Sequence, residues 1–352
     1  MLPEISIAGR KIGPAHEPYI ICELSGNHNG SLSRALSMID AAAKTGCDAI
    51  KLQTYTPDTL TIPSDKPDFC ISGGLWDGRT LYDLYQEAHT PFEWHEALFK
   101  RAAKLGMQIF STPFDETAAD LLDELGAPAF KISSFEATDL PLIAYVAKKG
   151  KPMIISTGLA TLGEAEAAVR TAQENGCKEV VLLHCISSYP APTYQSNLRT
   201  MPHLAQSFGV VSGLSDHTFG TATSVASIAL GGAVVEKHFT LARSDGGPDA
   251  DFSLEPNEFK RLVEDCKNAW KSLGKITYHT KPAEEDNKIF RRSVYVTKDI
   301  VKGEVFTRNN IRSIRPGFGL PPATLPDLLG KRASRDIKFA EPMDWSMVGD
   351  EG

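Results

Sequence analysis

AFKISSFEATDLPLIAYVAKKGKPMIISTGLATLGEAEAAVRTAQENGCKEVVLLHC, residues 129–185, holds three short β-rich runs separated by two helical patterns. The runs are AFKISS (129–134), MIISTG (153–158) and VVLLHC (180–185). Each is largely apolar rather than alternating, as a strand covered on both faces must be. DLPLIAYVAKKG (139–150) and LGEAEAAVRTAQENG (162–176) lie between them, and each closes on a glycine suited to a helix C-terminus. The same unit recurs outward in both directions. YIICEL (19–24), AIKLQT (49–54) and QIFSTP (108–113) precede it, and VVSGLSD (210–216) and VVEKHF (234–239) follow. Amphipathic stretches accompany them: SRALSMIDAAAKTGC (33–47), PFEWHEALFKRAAKLG (91–106), ETAADLLDELG (116–126), TATSVASIALGG (221–232) and NEFKRLVEDCKNAWKSLG (257–274). Eight runs alternating with helices across residues 1–276 predict an α/β chain folded as a (β/α)8 TIM barrel. A doubly wound open sheet is the alternative, but it gathers ligand residues at one switch point. Here polar residues end nearly all eight runs.

The repeat stops near residue 276. TYHTKPAEEDN (277–287) is polar and carries a proline, so residues 277–289 read as a linker. Residues 290–349 have short strand patterns, tight turns such as KGE and no long helix, and form a small second domain. The longest break in the repeat is 56–91, between the second and third runs, far longer than an ordinary connection. Its Trp76, Asp77, Arg79 and Tyr82 are candidates for sugar contacts, or for a small core of the insertion itself.

With 42% hydrophobic and 23% charged residues, the chain has the composition of a globular enzyme and not of a disordered one. A net charge of −7 argues against a nucleic-acid or anionic-membrane partner. The charge is uneven: residues 288–338 hold twelve basic and four acidic residues, leaving 25 basic and 40 acidic elsewhere. A basic module facing an acidic one, or an anionic substrate, would explain this; so would chance on a solvated surface. The six scattered cysteines form no CxxC pair, and Met1 to Ile12 lacks a leader pattern. No apolar run spans a bilayer, and a cytoplasmic location is expected.

The chemistry lies at the ends of the runs. Lys51 in AIKLQ and Lys131 in AFKIS sit inside apolar sequence, where a lysine is costly unless it meets a charge. Together they suggest a phosphate or carboxylate ligand, with hydroxyls such as Ser134, Ser156 and Ser215 as further donors. Structural pairing with Glu23 or Glu236, or a Schiff-base lysine, are the other readings. His217 and His238 end adjacent runs and could share one Mn²⁺, Zn²⁺ or Co²⁺ ion. Either could instead be structural or an acid–base group. DGGPDADFS (245–253) is a polar loop or an ordinary turn.

Taken together, ELSGNHNG (23–30), AIKLQTYTPDT (49–59), FSTPFD (110–115), KISSFE (131–136), ISTGLA (155–160), LLHCISSYPAP (182–192), GLSDHT (213–218), VEKHFTL (235–241) and GGPDADFSLEP (246–256) resemble the sialic acid synthase family. RPGFGLPP (315–322) resembles that family's C-terminal antifreeze-like (SAF) domain. The resemblance implies a condensation of phosphoenolpyruvate with an open-chain amino sugar. It places phosphoenolpyruvate on Lys51, Gln53, Thr112, Lys131, Ser134, Ser156, Ser187 and Ser215, with Ser187 standing where some relatives have Asn. It implies a divalent metal on His217 and His238: Mn²⁺, with Mg²⁺ or Co²⁺ as alternatives. Glu23, Lys51, Lys131 and Glu236 are the implied catalytic groups, and Tyr189, Asp249 and Arg315 the implied sugar contacts. Arg315 would reach the site of a partner subunit in a domain-swapped homodimer. ELSGNHNG and GGLWDGRTLYDLYQEAHTP (73–91) further resemble the branch acting on a 2,4-diacetamido-2,4,6-trideoxy sugar.

Overall fold

In the computed structural model, which describes residues 3–349, the chain divides into two compact units, Met1–Gly274 and Lys275–Gly352. The first opens with a hairpin, β1 (Ile5–Ile7) and β2 (Arg10–Ile12). Eight parallel strands follow: β3 (Tyr19–Glu23), β4 (Ala49–Thr54), β5 (Gln108–Pro113), β6 (Phe130–Ile132), β7 (Met153–Ser156), β8 (Val180–Cys185), β9 (Val211–Asp216) and β10 (Val234–His238). They close into a barrel in chain order, β10 pairing with both β9 and β3. The expected (β/α)8 barrel is what forms, and all eight runs are strands.

The helices follow the sequence signals. Ser31 caps Leu32–Ala43, Asp115 caps Glu116–Glu124 by accepting the Ala118 N–H at 2.7 Å, and Thr161 and Glu164 form a reciprocal capping box on Leu162–Glu174. Their apolar faces pack on the barrel in one continuous core. Outside the 56–91 insertion, the helix after β8 and the opening hairpin escaped the sequence reading. The helix Thr200–Phe208 contains Pro202 and buries only Met201 and Leu204, so its periodicity is faint. The hairpin strands are three residues each, too short to show a pattern.

The hairpin lies at the N-terminal end of the barrel. Ile7 and Ile12 are fully buried, and the Ser6 N–H donates to Glu179, just before β8, at 2.8 Å. That end is thereby closed, and the functional groups collect at the other. The 56–91 insertion holds two helices, Pro57–Leu60 and Leu81–Ala88, and a Cys70–Thr80 bridge.

The second unit pairs β11 (Ser293–Val296) with β12 (Ile311–Ile314) antiparallel. Val294, Val296, Ile300, Phe306, Ile311 and Ile337 anchor its own core. Its one α-helix among the described residues is Leu325–Leu328. Before β11 the chain makes two short 3₁₀ turns, Pro282–Glu284 and Asp286–Phe290, with exposed side chains.

Candidate active site

Parallel register decides which side chains meet. Glu23 lies opposite Lys51 between β3 and β4, Gln53 opposite Thr112 between β4 and β5, and Ser215 opposite Glu236 between β9 and β10. The Lys51 ammonium sits 2.9 Å from Glu23 Oε2, 3.4 Å from Glu236 Oε1 and 3.3 Å from Thr112 Oγ1. Gln53 Nε2 donates to Glu23 Oε1 at 2.9 Å, and Ser215 Oγ to Glu236 Oε1 at 3.2 Å. Lys131 donates to Ser156 Oγ at 2.7 Å and to the Ile132 carbonyl at 3.0 Å. All four charged groups are buried.

The two carboxylates differ in environment. Burial pushes Glu23 up, and the Lys51 charge only partly offsets it. Burial acts on Glu236 in the same sense but is outweighed there by Lys131 and Lys51, which hold it below the usual carboxylate range. Two titratable groups pushed apart in this way suit one proton carrier and one permanent charge. Burial lowers Lys131, whereas at Lys51 the paired carboxylates overcome burial and raise it.

His217 and His238 face each other with ring centres 5.3 Å apart. The Ile186 carbonyl accepts from His217 Nδ1 at 2.9 Å, so that nitrogen carries the hydrogen and Nε2 keeps its lone pair. Burial and the neighbouring His217 and lysine charges depress His238 well below its ordinary value, and its Nδ1 has no hydrogen-bond partner. At His217 burial is outweighed by Cys185, the Ile186 carbonyl and Glu236, which raise it above its ordinary value, so a cation held by both imidazoles would displace a proton there. Among the described residues no group of three or more His, Cys, Asp and Glu side chains could hold a metal ion. Water or substrate oxygens would therefore have to supply the remaining ligands.

Tyr189 packs 4.5 Å from the His217 ring and 5.6 Å from Trp76, and Phe252 lies 4.9 Å from His238. Asp249 Oδ2 is 3.9 Å from His238 Nδ1; burial, reinforced by Glu23, raises its carboxyl to about 7. Ser134 Oγ accepts the Gly158 N–H at 3.2 Å, while Ser187 Oγ and Glu236 Oε2 are buried without partners. Buried polar atoms in that state are unusual and here surround one cavity mouth. Arg315 is exposed on the second unit.

Of the insertion's four candidates, only Trp76 reaches the site, its indole N–H donating to the Pro248 carbonyl at 2.8 Å. The others hold the insertion together. Asp77 accepts from the Gly73 N–H, Arg79 pairs with Glu87 at 2.7 Å, and Tyr82 donates to Asp58 at 3.2 Å. His184, at the end of β8, spends its Nε2–H on the Ser196 carbonyl.

The polar residues after β3 are visible in the sequence, but the partners that let them set the loops are not. Ser25 donates to Asp249, and Asn27 Nδ2 donates to the Phe239 carbonyl and to Ser253 Oγ, both at 2.9 Å. Asn29 adds bonds to the Asp245 and Gly246 carbonyls. The loop after β3 is thus laced to the loop after β10, more than 200 positions away in the chain. At Gly158 any Cβ would collide with the Ser134 and Ser187 hydroxyls, so only glycine lets both stand there.

A closed parallel barrel with paired buried lysines, two differently tuned carboxylates and two imidazoles at its mouth defines a catalytic barrel for an anionic, oxygen-rich substrate. The chain belongs to the NeuB family, which it matches over residues 38–278; residues 291–349 match the SAF domain. It is 46% identical to a pseudaminic acid synthase of Campylobacter jejuni over 92% of this chain and 95% of that one. It is 38% identical to an N,N'-diacetyllegionaminic acid synthase of the same organism over 92% and 97%. The crystal structure of an N-acetylneuraminic acid synthetase from Leptospira borgpetersenii superposes with a TM-score of 0.73 at 30% identity, covering 82% of this chain and 95% of that one.

Proposed function

We propose that the chain condenses phosphoenolpyruvate with 2,4-diacetamido-2,4,6-trideoxy-L-altrose and water, giving pseudaminic acid and phosphate. The observation that carries this is the buried cluster of Lys51 and Lys131 against Glu23 and Glu236, beside His217 and His238 at one barrel mouth. The acceptor assignment is supported by the higher identity to the pseudaminic than to the legionaminic acid synthase of one organism.

In this reading Lys51, Lys131, Gln53, Thr112, Ser134, Ser156, Ser187 and Ser215 hold the phosphate and carboxylate of phosphoenolpyruvate. Carbon 3 of the enol attacks the sugar aldehyde, whose oxygen becomes a hydroxyl. Water adds at carbon 2, and phosphate leaves by C–O cleavage. Glu23, the carboxylate with the raised pKa, takes the water's proton. Glu236 stays ionised between the lysines, and Tyr189 and Asp249 position the sugar. A divalent cation, Mn²⁺ first and Mg²⁺ or Co²⁺ as alternatives, would be held by His217 and His238 and would supply Lewis-acid polarisation of the aldehyde.

We further place the enzyme in the cytoplasm as a domain-swapped homodimer in which Arg315 completes the partner's sugar site. The exposed Phe135, Leu159 and Phe219, on loops after β6, β7 and β9, support a cover over the mouth. The basic second domain and acidic remainder of the chain support a second copy as that cover.

Phosphate release from phosphoenolpyruvate and Mn²⁺ tests the reading with three acceptors: the altrose compound, the matching 6-deoxymannose diacetamido sugar and N-acetylmannosamine. Preference for the first, abolished by EDTA, is expected. Turnover of only the second or third would overturn the acceptor, and no release with any would overturn the reaction.

A further inference from the structure

We infer that the 56–91 insertion is the acceptor-selecting wall of this site, and that it selects a methyl group at the end of the sugar remote from the reacting carbon. This deepens the proposed function and rests on it. A chamber of about 430 Å³, within the range of small-molecule sites, opens beside the His238 imidazole. One end is polar, formed by Gln53, Tyr189, His238 and Asp249. The insertion lines the rest with Ile71, Leu81, Leu84 and Tyr85, and Phe114 and Phe135 are contributed from the loops after β5 and β6.

The wall is built before any ligand arrives. The Ile71 N–H donates to the Arg79 carbonyl at 2.8 Å, and Gly78 returns a bond to Ile71 at 2.9 Å. Thr80 caps the helix that carries Leu81, Leu84 and Tyr85. Tyr55, itself part of the lining, braces the wall, its ring edge-on to Tyr85 at 5.8 Å and to Phe114 at 5.1 Å. Trp76, tied to Pro248, joins the wall to the loop that carries Asp249.

A sugar whose aldehyde lies at the polar end directs its far carbon toward these apolar residues. Away from that end the lining carries the Tyr55 and Tyr85 rings and the Ser133–Glu136 pair, whose members are bonded to each other, while Ile71, Leu81 and Leu84 offer no polar atom at all. A primary hydroxyl set against Ile71, Leu81 and Leu84 is stripped of water and gains no partner, whereas a methyl group gains burial. A phosphate there would fare worse still.

The test compares the trideoxy altrose acceptor with its 6-hydroxy analogue, by kcat/KM for phosphate release and by calorimetric binding without phosphoenolpyruvate. The wild-type protein should favour the methyl sugar about 10- to 100-fold, the discrimination an apolar pocket provides against an added hydroxyl. Ile71→Thr and Leu81→Ser should narrow that ratio about tenfold, with folding checked by melting. A wild-type ratio near one in both assays overturns the inference even if the variants do not fold. A ratio unchanged in folded variants overturns the assignment to the insertion. A methyl preference in binding without phosphate release keeps the wall and overturns the reaction. Neither release nor binding of either sugar overturns both.

Discussion

His28 shows how a single side chain ties stability to pH. Its ring stands edge-on to Trp94 at 5.4 Å, its Nδ1 accepts the Gly30 N–H at 3.2 Å, and its Nε2 bonds Thr90 at 3.3 Å. Burial, with smaller contributions from His89 and Arg34, lowers it from 6.5 to about 4. The folded state therefore holds the neutral ring. The associated stability is complete above pH 6.5 and is lost as pH falls toward 4, amounting to about 3 kcal/mol. Denaturant unfolding between pH 7 and 4 should show this slope, and His28→Gln should flatten it. Lys51 offers a sharper test. Lys51→Met leaves Glu23 and Glu236 buried without the cation between them, which should cost about 3–5 kcal/mol of stability by thermal melting. Phosphate release should fall at least about 100-fold. Lys51 and Lys131 were legible as buried charges in need of partners, because a lysine inside an apolar run must meet a charge or a ligand, and Lys51 meets Glu23 and Glu236. The partners of Ser25, Asn27 and Gly158 were not legible, because only the closed barrel fixes them.

At the scale of elements, the strands were readable because burial on both faces writes a continuous apolar run. The split of the insertion was not, since Trp76 and Asp77 are neighbours in sequence yet one reaches the site and the other closes a turn. One unforeseen device joins β9 to β10. Lys237 pairs with Asp216 at 2.9 Å and donates to the Thr218 carbonyl at 2.6 Å, while Asp216 accepts from Thr218 and Ser224. The pair is fully buried, and its two residues immediately precede His217 and His238 in the chain, so it ties together the backbones that carry both imidazoles. Lys237→Met should destabilise the fold by about 3–5 kcal/mol. It should also weaken Mn²⁺ binding, followed by electron paramagnetic resonance, about 10- to 100-fold, as loss of a group that orients metal ligands does.

For the whole molecule, the proposed swapped dimer makes a prediction no single-chain site shares. Glu23→Gln disables a barrel and Arg315→Ala disables a tail, so each variant alone should be nearly inactive in phosphate release. Unfolded together and refolded as a mixture, they should recover about one intact site in four if the tail serves the partner's barrel. No recovery would mean that each tail serves its own. The two-domain division was legible because the βα rhythm stops abruptly, whereas the placement of one domain on another leaves no periodic trace in sequence. The hairpin β1–β2 carries a last consequence. With Ile7 and Ile12 plugging one end, the barrel is a well rather than a pipe, and all traffic uses one opening. Lys51 lies one layer deeper than Gln53 on the same strand, below the chamber proposed for the sugar. A well fills from the bottom: the enol phosphate must load first, and a sugar that arrives early becomes a stopper, visible as substrate inhibition that phosphoenolpyruvate relieves.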